Sequence, residues 1–367
     1  MTVSVAHFRR DYSRHAEAFV CDVITRTGEQ RPVVVYRRRW NHDAYRLPPG
    51  SVSTMIDFED PLESVDELSV QLRGVDVIHA HFGYDLPLAA LVARELDRPL
   101  IASFHGADAS SYLRRLRLRS LYREILPTVD AVVLDYNGMA RRLVQLGARP
   151  QRVHVIRLGA DITFWGARRH RASRQGMRLL TTGRLQQKKG HHLLLHALGR
   201  AVRDGLDVHL VIVGDGHEQR LLEQLVIAYR LESRVEFAGD LDRSETRELM
   251  AQSDVYVQSS FTAPDGDEET TPIALIEAMA GGLPVLATRH AGIAEVACDG
   301  VTGVLVDEGS VQELIRGLHR MVELRSTWND MGRAGRDRIR AEFNLEDTRE
   351  RWQRLYGSLA GKRSLFR

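Results

Sequence analysis

Residues 179–190 read Leu-Leu-Thr-Thr-Gly-Arg-Leu-Gln-Gln-Lys-Lys-Gly and join a short apolar run to a turn bounded by glycine. A helical pattern begins directly after this turn, so the stretch predicts one strand-turn-helix unit. Short apolar runs alternate with helical patterns along the rest of the chain, which is typical of βαβ units around parallel sheets. The sequence therefore predicts an α/β protein built from doubly wound, Rossmann-like sheets.

The predicted strands form two series. In the first half they fall at residues 3–6, 32–36, 75–80, 99–103, 131–134 and 153–156. In the second half they fall at residues 179–182, 208–213, 235–237, 255–258, 285–287 and 303–306. Because 367 residues exceed the usual size of one domain and both halves share one plan, two compact domains with a cleft between them are expected.

A linker is predicted at residues 166–176, which read Gly-Ala-Arg-Arg-His-Arg-Ala-Ser-Arg-Gln-Gly and have no apolar period. We therefore expect an N-terminal domain over residues 1–166 and a C-terminal domain over residues 167–344. Residues 345–367 contain a last amphipathic helix, which we expect to pack on the N-terminal domain because it carries apolar residues at helical spacing: Trp352, Leu355, Tyr356 and Leu359.

Composition excludes several classes of protein. A net charge of +2 with both signs interspersed gives no basic field for nucleic acid. The two cysteines, Cys21 and Cys298, lie far apart, which argues against a disulfide framework. We expect neither a signal peptide nor a membrane span, because Arg9 and Arg10 follow one short apolar strand and no apolar run reaches about 18 residues. We therefore expect a cytoplasmic protein, at most in contact with the inner face of the membrane.

The most specific signal is residues 269–282, Glu-Thr-Thr-Pro-Ile-Ala-Leu-Ile-Glu-Ala-Met-Ala-Gly-Gly. Thr271 is a plausible N-cap with Pro272 at the first helical position, and the two glycines end the helix. The amides at the start of this helix would bind a phosphate. Glu277, about a turn and a half inside, would accept hydrogen bonds from a ribose diol, and Glu269 on the loop would reach the sugar.

Two further turns point to the same edge of the predicted sheet. Gly183 and Arg184 follow the first strand of the second domain, and Lys189 lies just before the next helix. Fixed cations there would neutralise a diphosphate leaving group as its charge develops. Gly214, at the end of the following strand, lets a ligand approach the backbone.

On these residues the sequence resembles the retaining GT-B glycosyltransferases, in particular the exopolysaccharide enzymes of the colanic-acid and amylovoran type, over about residues 179–306. The resemblance implies that Glu277 binds ribose, that Glu269 faces the sugar, and that Arg184 and Lys189 bind the diphosphate. It also implies retention of anomeric configuration and no metal. The donor set is completed by residues of the same motifs: Gly183, Gly214, Thr270, Thr271 and Ile273. Thr270 departs from the family, which usually has glycine there.

Acceptor residues are predicted in the first half. His105 ends a strand and precedes a glycine turn, and His81 lies at the edge of the preceding strand. We predict that both bind the acceptor and that His105 also acts in catalysis, as do Glu269, Arg184 and Lys189. The family's glycine-rich turn after the first strand is replaced here, and three residues of that segment are candidate contacts: Arg14, His15 and Glu17.

Residues 113–123, from Leu113 to Arg123, form a basic amphipathic segment that either rests on an anionic membrane or is a solvated helix face.

Three other signals are weaker. Asp265 and Asp267 have the spacing of a metal-binding Asp-x-Asp motif, His192 and His196 lie one helical turn apart, and the glycines near residue 214 lack the third glycine of a dinucleotide site.

We therefore predict a metal-independent hexosyltransferase. It would move a sugar from a nucleotide diphosphate donor, a UDP- or GDP-sugar, to a hydroxyl of a saccharide, lipid-linked or small-molecule acceptor, with no other cofactor. The alternatives are a sugar-nucleotide epimerase or phosphorylase on the same fold, and a non-catalytic sugar-binding subunit.

Overall fold

A computed structural model describes residues 2–12, 18–26, 30–39, 46–59, 61, 65–166 and 176–362. The chain forms two compact units. The first comprises Met1–Arg157 and Glu346–Arg367, and the second comprises Leu158–Leu345. The division falls nine residues before the predicted boundary at 166/167, because a short helix at Ile162–Trp165 belongs to the second unit and packs there. Residues 167–175 of the predicted linker lie outside the described part.

The strands of the first unit are β1 (Val3–Phe8), β2 (Asp11–Tyr12), β3 (Gln30–Tyr36), β4 (Arg38–Arg39), β5 (Val52–Ser53), β6 (Val77–Ala80), β7 (Leu100–Phe104), β8 (Ala131–Leu134) and β9 (Val153–Val155). The helices before β9 are α1 (Ala18–Arg26), α2 (Asp66–Gln71), α3 (Leu86–Leu96), α4 (Leu116–Ile125) and α5 (Ala140–Gln145). Seven strands form one parallel sheet in the order β5-β3-β1-β6-β7-β8-β9, and β2 pairs with β4.

The strands of the second unit are β10 (Met177–Thr182), β11 (Val208–Val213), β12 (Val235–Gly239), β13 (Val255–Gln258), β14 (Val285–Thr288) and β15 (Gly303–Val306). Its helices are α6 (Ile162–Trp165), α7 (His191–Arg203), α8 (Gln219–Ala228), α9 (Arg243–Gln252), α10 (Ile273–Ala280), α11 (Ile293–Val296), α12 (Val311–Glu323) and α13 (Trp328–Glu342).

The second sheet is parallel throughout, with the order β12-β11-β10-β13-β14-β15. Counted within the unit, this is the 3-2-1-4-5-6 order of the Rossmann fold. The order reverses between β10 and β13, and ligands of such sheets bind beyond the carboxyl ends of the strands at that point. The first sheet has the same reversal between β1 and β6. The prediction of two Rossmann-like parallel sheets is confirmed.

The last helix, α14 (Leu345–Leu359), belongs to the first unit from Glu346 onward. Its apolar side chains enter the core formed by one face of the first sheet: Trp352, Tyr356 and Leu359 pack with Val5, Val77 and Ile101. The burial of this face supplies the apolar partner that an amphipathic helix requires.

Each predicted strand is present, with ends that shift by up to two residues. Three two-residue strands, β2, β4 and β5, were not predicted, because none of them contains an apolar run. Within the described residues, no helix combines the length and the apolar character needed to cross a membrane.

Candidate active site

Two glycines bring the turns after β10 and β11 into backbone contact. Gly183 has a φ of +142° and Gly214 a φ of +123°, values that L-residues rarely adopt. A Cβ atom at Gly214 would lie 2.1 Å from the Gly183 carbonyl oxygen. Any larger residue at position 214 would force these two turns apart, so in the structure the absence of a side chain at Gly214 accommodates the Gly183 backbone.

Lys189 and Glu269 form an ion pair beside Gly183. Lys189 ends a 3₁₀ turn at Gln187–Lys189, and its Nζ contacts an Oε atom of Glu269. A Cβ atom built on Gly183 would lie 3.5 Å from the same Nζ. The structure therefore brings together Gly183, Lys189 and Glu269, although Glu269 lies 80 residues further along the chain.

The Glu269 carboxylate is ionised despite its burial. The side chain is almost fully buried, and desolvation alone would raise its pKa. The positive charges of Lys189, Lys188 and Arg184 outweigh this effect and bring the pKa of Glu269 to about 2. The carboxylate can therefore accept hydrogen bonds or stabilise positive charge at neutral pH, but it is not a proton donor.

The helix after Glu269 starts later than predicted. α10 begins at Ile273 and its N-cap is Pro272, with an extended ψ of 112° and no side-chain cap. Thr271 is therefore not the N-cap. The Thr270 carbonyl accepts the Gly292 amide (3.0 Å), which holds this segment outside the helix. As a result Glu277 lies just over one turn inside α10, and the helix ends before Gly281 as expected.

A buried polar network lies near both glutamates. The Tyr256 hydroxyl lies 3.3 Å from Thr182 Oγ1 and donates to Gln258 Oε1 (3.1 Å). Burial raises the pKa of Tyr256, and the negative charges of Glu277 and Glu269 raise it further. Both glutamates are therefore near enough to Tyr256 for their charges to act on its hydroxyl.

The Asp-x-Asp motif is already engaged by protein. Lys188, which is buried, donates to Asp267 Oδ1 and to the Glu268 carbonyl oxygen, both at 3.1 Å. Desolvation raises the pKa of Asp267, and the charge of Lys188 opposes that rise. Asp267 therefore serves to anchor the loop that carries Glu269, which disfavours the metal-binding interpretation.

Two residues of the second unit, His290 and Glu308, were not predicted from the sequence. His290 is buried and follows β14, and its Nε2 accepts the backbone amide of Glu269 (3.0 Å). Its Nδ1 contacts Glu308 Oε2. A polar residue three positions after the end of a predicted strand, at the ligand-binding edge of the sheet, was the available signal for His290.

In the first unit His105 follows β7 and is held by a buried aspartate. Its backbone amide donates to Asp108 Oδ1 (3.1 Å), and Asp108 also accepts the Gly83 amide (2.9 Å). The imidazole packs edge-on against Phe19 and Phe82, each with a centroid distance of 5.0 Å. Its Nδ1 lies 3.8 Å from Asp135 Oδ2.

His81 is buried in a cluster with two other histidines. Its Nε2 is 2.9 Å from Nδ1 of His7. His79 is hydrogen-bonded on both sides, to the Tyr356 hydroxyl (2.8 Å) and to Ser103 Oγ (2.7 Å). Candidate ligand atoms of the three rings lie within 4.8 Å of one another, but these hydrogen bonds already engage nitrogens of every ring. Desolvation lowers the pKa values of His79 and His81 well below the ordinary range, and neighbouring histidines lower them further.

The remaining candidates divide by location. Arg14, His15 and Glu17 lie outside the described residues. His196 Nδ1 is 2.6 Å from the Tyr229 hydroxyl, which disfavours a metal site with His192.

The basic helix α4 buries Leu118 and Tyr122, whereas Leu116 is 80% exposed. Its exposed basic side chains are Arg117, Arg119 and Arg123. The donor candidates thus lie in the second unit, whereas His81 and His105 belong to the first.

Comparisons with known proteins agree with this division. Residues 168–338 match the family "Glycosyl transferases group 1", and residues 6–164 match "Glycosyltransferase Family 4". The chain is 32% identical over 275 residues to the putative colanic acid biosynthesis glycosyltransferase WcaL of Salmonella typhimurium, covering 74% of this chain and 68% of that protein. It is 29% identical to the amylovoran biosynthesis glycosyltransferase AmsK of Erwinia amylovora, covering 73% and 67%.

A solved structure of Anabaena HepE in complex with UDP-glucose shares the fold, with a TM-score of 0.82, 21% identity, and coverage of 97% of this chain and 100% of that one. The expected resemblance is confirmed by these matches. The chain belongs to the group 1 glycosyltransferases, which have the GT-B fold, and is a glycosyltransferase.

Proposed function

We propose that the second unit binds a nucleotide diphosphate sugar, with the diphosphate beside Arg184 and Lys189 and at the start of α10. The observation that carries this proposal is the buried Glu269 carboxylate, kept ionised by three cations. Two of these cations, Arg184 and Lys189, would stabilise the negative charge that develops on a departing diphosphate. Glu277, one turn inside α10, would hold the ribose hydroxyls, and Gly183, Gly214, Thr270, Thr271 and Ile273 would line the donor.

Transfer would proceed with retention of configuration. The bond between the anomeric carbon and the diphosphate oxygen breaks, the acceptor oxygen bonds to the same face of the sugar, and the acceptor proton passes to the leaving phosphate. The ionised Glu269 would stabilise positive charge on the sugar ring. The family resemblance supports retention, and proton NMR of the product would test it, since the anomeric coupling reports the configuration formed.

We further propose that no metal ion is needed. In metal-dependent transferases a cation holds the diphosphate, whereas here Arg184 and Lys189 would supply that charge. The engagement of Asp267 by Lys188 supports this assignment. Turnover measured in excess chelator should equal turnover in added Mg²⁺ or Mn²⁺, and dependence on either ion would contradict the proposal.

The relatives named above support a role in exopolysaccharide or other glycoconjugate biosynthesis, with a UDP- or GDP-sugar as donor. HepE, which binds UDP-glucose, favours the uridine nucleotide. The acceptor would be a saccharide, lipid-linked or small-molecule hydroxyl bound by the first unit, where His105 and His81 are the described candidates, with His105 acting in catalysis. Thermal-shift screening against nucleotide diphosphate sugars would identify the donor.

The exposed arginines of α4, together with Leu116, support peripheral contact with an anionic membrane. Sedimentation with vesicles containing anionic phospholipid would test this. Reversal of charge in Arg117→Glu/Arg119→Glu should abolish sedimentation at low salt. Equal sedimentation of this variant and the wild type would favour the solvated-face interpretation.

The donor site is tested by three substitutions, Arg184→Ala, Lys189→Ala and Glu277→Ala, with circular dichroism to verify folding. Each should reduce transfer by about 100-fold or more, because each removes a group that binds the leaving nucleotide. Lys362→Ala, which changes an exposed lysine of the first unit, is the matched control. Normal turnover in Lys189→Ala or Glu277→Ala would contradict the assignment.

Two other functions are distinguished by their products. An epimerase would convert donor in the absence of any acceptor, and a phosphorylase would require inorganic phosphate. A non-catalytic sugar-binding subunit would bind donor without slow hydrolysis of any member of a donor panel. The intact set of Arg184, Lys189, Glu269 and Glu277 favours transfer over these alternatives.

A further inference from the structure

The loop between β13 and α10 carries Glu269 and is held at several points by the rest of the second unit. Near its start, the Thr262 amide donates to Glu308 Oε2 (2.9 Å). In its middle, Lys188 bonds to Asp267 and to the Glu268 carbonyl oxygen. These contacts fix the path of the loop but do not by themselves fix the peptide unit of Glu269.

His290 makes the contact that holds this peptide unit. The Glu269 amide donates to His290 Nε2, at 3.0 Å, and both residues are buried. Because Nε2 accepts, the proton of the neutral ring resides on Nδ1, which faces Glu308 Oε2. The Glu308 carboxylate therefore stabilises the tautomer that can receive the Glu269 amide, and it does so with the oxygen that also binds Thr262.

We propose that Glu308 and His290 form a positioning pair for Glu269. The pair holds the backbone of Glu269 so that its carboxylate stays directed to Lys189 and, in the complex, to the donor sugar. This proposal rests on the donor site proposed above. Neither residue is proposed to touch the substrate, so the pair acts through Glu269 alone. Leaving the buried Glu269 amide without an acceptor would raise the free energy of the folded state, so this hydrogen bond stabilises the conformation of the loop.

The test compares two substitutions of His290. Glutamine places an amide oxygen near the position of Nε2, so His290→Gln can still accept the Glu269 amide, whereas His290→Leu cannot. We expect His290→Leu to lower kcat about 30-fold or more while the KM for donor changes less than about threefold, because Arg184, Lys189 and Glu277 still bind the nucleotide. His290→Gln should recover kcat to within about fivefold of the wild type.

Controls address folding and specificity. His319→Gln, a change on the partly exposed face of α12, should leave both constants unchanged. Glu308 is 38% exposed, so Glu308→Ala is expected to fold, and it should lower kcat with little change in KM. Hydrogen exchange of the peptide covering residues 259–272 should rise in His290→Leu and Glu308→Ala and remain low in His290→Gln.

Two outcomes overturn the positioning pair. One is a His290→Leu enzyme with the kcat of the wild type, and the other is equal impairment of His290→Leu and His290→Gln with unchanged exchange in the loop. Glu269→Ala, measured in parallel, separates this failure from that of the donor site. If Glu269→Ala retains full transfer, the donor assignment itself fails; if it abolishes transfer while His290→Leu does not, only the positioning pair fails.

Discussion

The two units place different chemistry at the same position of the same fold. In the first unit, where β1 meets β6, His7 lies opposite His79 in register, and His81 is the first residue after β6. These rings are buried, and burial keeps His79 and His81 neutral. In the second unit, where β10 meets β13, the corresponding edge carries the largely buried Lys189–Glu269 ion pair, in which the Glu269 carboxylate is ionised.

The difference bears on the proposed diphosphate site. The neutral histidines exchange hydrogen bonds with one another and with Tyr356 of α14, so they stabilise the interior of the first unit. In the second unit, the positive charges of Lys189, Lys188 and Arg184 overcome the desolvation of Glu269. Burial dominates the first cluster and Coulombic attraction dominates the second, and this contrast can be tested by mutation and by pH.

The largest effect is expected for Lys189→Met. This change leaves the Glu269 carboxylate buried without its closest cation, and loss of one partner of a buried ion pair costs about 3 to 5 kcal/mol. The pKa of Glu269 should rise, and transfer should fall about 100-fold or more. Urea denaturation gives the stability, and hydrogen exchange of the β10 peptide assigns the loss to the second unit.

The double variant Lys189→Met/Glu269→Gln serves as the control. Removing the unpaired charge should recover part of the stability, although it cannot recover transfer. The exposed change Lys362→Met should alter stability by less than about 0.5 kcal/mol. Equal urea midpoints for Lys189→Met and the wild type would show that the ion pair does not determine the stability of this edge.

The second prediction concerns acid pH. A histidine that stays neutral when folded, but has a pKa of 6.5 when unfolded, contributes stability that is complete above pH 6.5 and declines as pH falls. Between pH 7 and pH 5 the loss is about 2 kcal/mol for each such histidine. The ionised Glu269 contributes stability over a different pH range. Its contribution persists down to its unfolded pKa of 4.5 and is lost only as pH falls toward its folded pKa of about 2.

We therefore expect wild-type protein to lose about 2 kcal/mol more than His79→Gln between pH 7 and pH 5, measured by urea denaturation at each pH. The wild type is compared with His79→Gln because burial raises the pKa of Asp85 to about 7. Asp85 therefore titrates over the same pH range in both proteins, and its contribution cancels in the difference. Glu269→Gln should follow the wild-type curve in this window. Identical pH slopes for the wild type and His79→Gln would mean that folded His79 takes up a proton over this range as the unfolded chain does, so that burial does not lower its pKa.

The sheets could be predicted because their signal is local. An apolar run such as residues 208–213 identifies a buried strand by itself, and alternation with helices implies a parallel sheet. The two-residue strands at Asp11–Tyr12 and Arg38–Arg39 have no such run, and their pairing arises only when distant segments meet. The misplaced cap at Thr271 has a similar cause, because its segment is held by Gly292 rather than by the helix it precedes.

The donor candidates were predicted because their motifs are contiguous in sequence. Glu269 and Glu277 lie in one motif, and Arg184 and Lys189 in another, so residue spacing identified both. The contacts that hold them are non-local: Lys188 reaches a partner 79 residues away, and His290 binds an amide 21 residues before it. Sequence spacing does not encode such contacts, and for that reason Glu308 and His290 emerged only from the structure.

The smallest predicted effect compares two tyrosine–histidine hydrogen bonds, one in each unit. The Tyr356 hydroxyl lies 2.8 Å from His79 Nδ1, and both residues are fully buried. The Tyr229 hydroxyl lies 2.6 Å from His196 Nδ1 at a partly exposed site. Tyr356→Phe leaves a buried imidazole nitrogen without this partner and should cost about 1 to 3 kcal/mol. Tyr229→Phe should cost less than about 1 kcal/mol, because water can replace the lost hydroxyl.

Urea denaturation measures both losses, and hydrogen exchange of the α14 peptide should increase only in Tyr356→Phe. Equal losses for the two variants would indicate that burial does not control the histidine cluster of the first unit, which would remove the physical basis for contrasting it with the ion pair of the second.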